Sequence, residues 1–388
     1  MLEDDLREMF GARVRTPPSA LDPAGVAISR GRRGVRGRRL TLITVACVAF
    51  AAMLGGAATL KGMWTPPGEF TDVLTYEGLF GRDIEQPEKA GADLPTIEVP
   101  IDVHVGSDLW TADGRKLSLT GMSQVIEVIR VPAGWLYTDD FRLRLMTLGG
   151  NSVPIRDNIS SWAVSMDGKR VVTAGASESL MVTEAATGAT IEATVPTKTR
   201  AVGFAGGHVI LQHDAAGFDR WEAGVQIYQQ TWNNRLLAVY GSSSEQTLGL
   251  VEEKGAVCLS DVAPTDRGWA VGQSLGCGEL LRAAGRDRLG RADVSLSPDG
   301  RWLAIPSDTG VQVIDVGLAR ATGELAVALT CPSASHAPAV WADDKTVLTI
   351  SSASGIVACG MDGSRGKVPL PSGVSTGWAL VPRYGVSA

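Results

Sequence analysis

The chain has 388 residues, 44% of them hydrophobic, with 36 basic against 42 acidic side chains. That composition excludes a collagen-like, disulfide-dense, wholly disordered or polytopic membrane protein, and the length fits two or three domains or one large β architecture. Charge is uneven: residues 1–39 carry nine arginines against five acids, and residues 61–388 carry 27 basic against 37 acidic groups. So acidic a domain repels phosphate backbones, so nucleic acid is not an expected partner.

The N-terminal residues 1–39 read as a short cytoplasmic segment. Leu2, Leu6, Met9 and Phe10 fall at i, i+4, i+7 and i+8, one face of a helix over 2–14. Glu3, Asp4 and Asp5 in its first turn and Arg13 near its end suit the helix dipole. A helix this short is marginal alone in water. It reads either as a transient stub or as a docking helix for a cytoplasmic partner of residues 1–14. Thr16-Pro17-Pro18 ends it, and an arginine-rich linker follows.

From Leu40 to Leu60 run 21 residues with no charge and no proline. As a helix this segment would be roughly 31 Å long, enough for a hydrocarbon core of about 30 Å. Arg30, Arg32, Arg33, Arg36, Arg38 and Arg39 stand immediately before it, and Lys61 and Trp64 follow it. Arginine is retained on the cytoplasmic side, so the expected topology is N-terminus inside, C-terminal part outside. A cleaved signal peptide is the rival reading, with Ala57-Ala58-Thr59 as its small-residue stretch. Against it stand the long leading segment and an apolar run beyond the usual 7–15 residues. The arginine block, flush against the apolar run, suits anionic lipid headgroups. Residues 61–95, rich in proline, read as an extracytoplasmic stalk.

Over 96–388 the pattern changes to short β runs punctuated by turns. The clearest unit runs from Ser161 through Asp167-Gly168 to Val195, with Ala186-Thr187-Gly188 inside it. A second runs from Ala292 through Ser297-Pro298-Asp299-Gly300 to Leu329, with Ala321-Thr322-Gly323, and a third from Ala339 through Asp343-Asp344 to Cys359. Asp-Gly suits a tight hairpin whose two central residues both take φ > 0. Asp299 and Asp343 are 44 residues apart, and Asp167 and Asp299 are 132 apart, three such periods. Four short strands per period of 40–50 residues is the signature of a β-propeller.

Weaker copies start near 125, 201 and 236, giving six blades between 123 and 371. In the copy at 201 the outer strands fall loosely around Phe218–Tyr228. Three strands in front (Thr96–Val103, Leu109–Thr111, Lys116–Thr120) and one behind (377–382) complete a seventh, and a six-bladed ring is the alternative. The expected fold is therefore all-β: a seven-bladed propeller preceded by one transmembrane helix and a short cytoplasmic segment. Trp162, Trp302 and Trp341 sit at repeat-equivalent strand edges and are expected in inter-blade core.

These units resemble the WD-repeat-like and TolB-like propellers, in which S-P-D-G-x-x-L-A leads to a strand ending in Asp and then T-G. The layout is also similar to that of single-pass actinobacterial membrane proteins with an outer propeller, some of which look like partners of extracytoplasmic sigma factors. The resemblance implies fold and topology and carries over no binding residue.

Cys47 lies in the apolar segment, and Cys258, Cys277, Cys331 and Cys359 lie in the propeller. An even number in an oxidising compartment indicates two disulfides. Three pairings are possible, and Cys258–Cys277 with Cys331–Cys359 is favoured as tying neighbouring strands. A metal site competes, yet there is no CxxC and no His at ligand spacing.

Catalytic signals are poor. Gly373-Val-Ser375-Thr-Gly377 matches the nucleophile-elbow string, but no His follows it. His104, His208, His213 and His336 are scattered, with His208 and His213 flanking one strand. Asp139-Asp140 read as hairpin-turn acids. No cofactor motif is present. The expectation is a membrane-anchored, extracytoplasmic, non-catalytic binding module for an envelope protein, peptide or glycan. A sigma-factor-associated transmembrane regulator is the alternative, and a propeller hydrolase or dehydrogenase the second.

Overall fold

The computed structural model describes residues 94–385, apart from 123, 140, 215, 226–227, 242–246, 287–294, 335–336 and 353. The sequence readings of residues 1–93, of Asp140 and of His336 therefore lie outside the described residues. Among the described residues no helix is long and apolar enough to cross a membrane.

The strands form seven separate antiparallel sheets, the blades of a propeller, and the six-bladed alternative falls. Blade 1 holds Glu127–Val131, Gly134–Thr138, Arg142–Thr147 and Ser152–Asp157. Blade 2 holds Ile159–Val164, Arg170–Gly175, Ser179–Glu184 and Thr190–Thr194. Blade 3 has three strands, Thr199–Ala205, His208–His213 and Gly217–Glu222. Blade 4 holds Leu236–Gly241, Thr247–Glu253, Ala256–Thr265 and Gly268–Cys277. Blade 5 holds Ser295–Leu296, Trp302–Ser307, Gly310–Asp315 and Val327–Cys331, and blade 6 holds Val340–Trp341, Thr346–Ser351, Gly355–Gly360 and Arg365–Val368.

Blade 7 joins both ends of the described chain. Ala379–Leu380 pairs with Val103–Val105, followed by Asp108–Trp110 and Lys116–Ser118. Three strands from the front and one from the back close the ring, which removes the free edges of an open sheet. The first front strand is Val103–Val105 and not Thr96–Val103, because the residues before it do other work. Ile97 N–H donates to Lys367 O (3.0 Å) and Lys367 N–H to Pro95 O (2.8 Å), so the incoming chain lies parallel to the outer strand of blade 6. At the other end, Arg130 N–H donates to Pro382 O (2.8 Å) and Tyr384 N–H to Arg130 O (2.9 Å). This tail adds a parallel rung to the inner edge of blade 1. It then seats Gly385 so close to Asp167 O that a Cβ there would collide.

Antiparallel order fixes two faces. One, the turn face, carries the first-to-second and third-to-fourth strand turns and both ends of the described chain. The other, the connection face, carries the second-to-third turns and the links between blades. The first strands of blades 2, 3, 4 and 5 lie against one another in succession. Apolar layers between blades are the core; one joins Trp302 and Trp341 with Val313 and Val357 across blades 5 and 6. Trp162 and Trp341 lie on first strands while Trp302 opens a second strand, so the three are not repeat-equivalent.

The Asp-Gly turns also differ from the expectation. Only glycine takes positive φ, 66° at Gly168 and 76° at Gly300, while both aspartates stay in ordinary conformations. In each turn the glycine N–H donates to a serine carbonyl three residues back, Ser165 (2.7 Å) or Ser297 (2.8 Å). The serine hydroxyl donates to the aspartate, at 2.6 Å in both, and accepts the backbone N–H that opens the next strand. This is a type I turn closed by a left-handed glycine, not a two-residue hairpin. Thr111-Ala-Asp113-Gly114 in blade 7 repeats it. Thr322-Gly323 ends a helix, Val316–Thr322, capped by the Asp315 carboxylate at Leu318 N–H and by Gly323 N–H on Ala319 O.

Candidate functional site

Both disulfides are formed, Cys258–Cys277 and Cys331–Cys359. The first joins directly opposed residues of the third and fourth strands of blade 4. The second runs from the last strand of blade 5 to the third strand of blade 6, so it crosses a blade boundary. Among the described residues no cluster of His, Cys, Asp and Glu could hold a metal ion. Ser375 lies in the irregular link before Ala379–Leu380, without the strand-to-helix turn that a nucleophile elbow needs. His104 is buried in blade 7, and burial lowers its affinity for a proton. His208 and His213 begin and end one strand of blade 3. Asp139 accepts the Phe141 and Arg142 N–H groups and pairs with the Arg142 guanidinium, which is the turn role expected of it.

The departure from the repeat is blade 3. Where its fourth strand would run, residues 228–234 cover the edge with one antiparallel bridge, Phe218 to Asn233. Asp219, wholly buried, supplies what the absent ladder does not. Its carboxylate accepts from Tyr228 Oη (2.6 Å), Thr231 N–H (2.6 Å), Thr231 Oγ1 (2.6 Å) and Arg220 N–H (2.8 Å). A buried carboxylate is tolerable only when its lone pairs are filled in this way.

The segment so held presents aromatic rings on the connection face. Trp232 stands 5.6 Å from the His213 ring and 6.4 Å from the Tyr228 ring, the latter edge-on. Beside them Arg200 pairs with Asp214 at 2.7 Å. Half-buried rings of this kind, backed by core and flanked by an ion pair, offer a stacking surface with a polar margin. The outer strands of this blade, expected around Phe218–Tyr228, reduce to one strand and this aromatic cover. The available signal was Asp219 followed by Tyr228 and Thr231, three hydrogen-bonding residues inside an otherwise β-like run.

No protein-family model and no curated protein matches the sequence. Among solved structures, the β-propeller domain of Cps50 (Swd1) from Myceliophteria thermophila is similar at 11% identity and a TM-score of 0.40, over 63% of this chain and 88% of that one. A computationally designed protein, Ika8, is similar at 14% identity and a TM-score of 0.44, over 69% of this chain and 83% of that one. At these values it is the chain's own seven-sheet topology that establishes the fold.

Proposed function

We propose that this protein is a single-pass membrane protein whose propeller stands outside the cell membrane as a non-catalytic interaction module. A propeller suits that use, since a rigid ring displays variable loops on two faces. The observation that carries the reading is a doubly disulfide-bonded ring downstream of an arginine-flanked apolar run, residues 40–60. Disulfides persist in oxidising compartments, and arginines at 30–39 hold the N-terminus inside. The partner class is an envelope protein, peptide or glycan, and the ring cluster at His213, Tyr228 and Trp232 is the surface offered to it. Protease treatment of intact cells with a tag at each end tests the topology. The C-terminal tag should be lost and the N-terminal tag protected, on a chain of uncleaved mass. A released soluble propeller lacking residues 1–60 overturns the anchor.

A second reading adds signalling. Leu2, Leu6, Met9 and Phe10 on one helical face give the cytoplasmic segment a docking surface for a regulator such as a sigma factor. A peptide of residues 1–39 should then capture that partner, and capture of nothing removes this reading while leaving the first intact.

A further inference from the structure

Arginines strap the blades together, and each strap ends on an acceptor. Arg115 Nη1 donates to Leu148 O (3.3 Å) across blades 7 and 1, and Arg156 Nη1 to Thr173 O (3.0 Å) across blades 1 and 2. Arg170 reaches Gly206 O (2.6 Å), Arg320 reaches the Asp261 carboxylate (2.8 Å), and Arg365 reaches Thr330 O (2.9 Å). Two further arginines on the turn face each hold a buried nitrogen that no acceptor among the described residues meets. Arg130, on the first strand of blade 1, and Arg383, on the closing tail, are bridge partners and so lie side by side. Arg130 Nη1 and Arg383 Nε are buried, and neither meets an acceptor among the described residues.

The carboxylates nearby are engaged elsewhere. Asp102 accepts Ala112 N–H (2.6 Å) and Trp135 Nε1–H (2.9 Å), and Asp113 binds Thr111 and Arg115. The Arg130 guanidinium lies 3.8 Å from the centre of the Trp135 ring, which orients it. Arg383 keeps one bond, from Nη1 to Pro100 O (2.9 Å). Burial, and then the positive charge of Arg383 and of Arg115, weaken the hold of Arg130 on its proton, against the pull of Asp102 and Asp113. Arginine nonetheless stays charged in proteins, so these groups answer their surroundings by binding an anion rather than by titrating. Buried charged donors without acceptors are costly, and planar guanidinium forks match oxyanions.

We propose that Arg130 and Arg383 form a site for one oxyanion, a carboxylate or a phosphate group, at the seam of blades 7 and 1. It rests on the interaction-module reading only for its biological use, since anion binding is measured directly and independently of topology. The experiment is calorimetric titration of the full chain in detergent with sodium phosphate and, separately, sodium acetate, at ionic strength held constant with chloride. Saturable binding at one anion per chain is expected in at least one titration. Arg383→Gln should weaken it at least tenfold, Arg383→Lys should fall between, and Arg365→Gln, a strap on another seam, should bind as the parent does. Phosphate binding tighter than acetate assigns a phosphorylated ligand, and the reverse assigns a carboxylate such as an acidic peptide or sugar. Heats of dilution alone from both anions, or binding unchanged in a folded Arg383→Gln, overturn the site.

Discussion

Blades 5 and 6 are built by repetition, and blade 3 is built by exception. In blades 5 and 6 four strands pair in sequence, the interface is apolar, and a disulfide crosses it from Cys331 to Cys359. Blade 3 has three strands, and the segment over its edge hangs on Asp219. Ladder hydrogen bonds spread stability over many residues, each contributing modestly, whereas a buried carboxylate with four donors concentrates it in one. Regular blades should thus tolerate single substitutions that blade 3 does not.

The largest effect should follow Asp219→Ala. The substitution leaves the Tyr228 hydroxyl, both Thr231 donors and Arg220 N–H without their acceptor, and it should cost about 4–5 kcal/mol of unfolding free energy. Chemical denaturation of the variant measures it. A loss below about 1 kcal/mol would show that blade 3 is held by something other than this carboxylate.

The disulfides come next. Closing loops of these lengths, 19 and 28 residues, is worth roughly 3–4 kcal/mol each by chain entropy. Replacing Cys331 and Cys359 together by alanine should cost about that much and loosen blade 5 from blade 6. Access should separate the two bonds: Cys331 and Cys359 are wholly buried, while Cys277 is exposed. A mild reductant followed by alkylation and mass analysis should label Cys258 and Cys277 first. Labelling in the reverse order would mean that the blade 5–6 seam opens more readily than its packing implies.

The same contrast decides what could be read from the residues alone. Period, turn positions and closure by strands at both ends were legible, because Ser-x-Asp-Gly and alternating apolar runs are local signals; the turn type was not, because the serine that closes each turn lies outside the Asp-Gly pair. The tail over blade 1 and the rung at residues 95–97 were not, because main-chain pairing leaves no mark in side-chain pattern. The arginine straps escaped for a related reason: Arg170 and Arg365 end on backbone carbonyls, so no complementary residue advertises them. Asp219 was hidden by its place on an apparent outer strand, where a carboxylate reads as solvated. A smaller test of the legible part is Gly300→Ala. With φ at 76° it should destabilise by about 1 kcal/mol, read as a shifted denaturation midpoint with unchanged slope. No shift would mean that the turn is not held left-handed.

The smallest effect vanishes at neutral pH and isolates blade 3. Burial, and then the hydrogen bond and charge of Asp219, hold the Tyr228 hydroxyl well above its ordinary value of 10.0. Burial and Glu127 push Tyr384, on the closing tail, up to about 12. In the unfolded chain both tyrosines lose their protons near 10.0, while the folded chain retains them. Above that pH the folded state binds more protons, so stability is intact below it and falls as pH rises. Between 10.0 and about 12 both groups contribute to the fall, and beyond it Tyr228 continues alone. Tyr228→Phe removes the blade 3 share, and Tyr384→Phe removes the share of the tail. Denaturation at neutral and alkaline pH should therefore show a shallower alkaline loss in each variant than in the parent. Equal loss in the parent and Tyr228→Phe would mean that the hydroxyl does not stay on Asp219 in alkali, and the edge of blade 3 would then rest on Thr231 and the Phe218–Asn233 bridge.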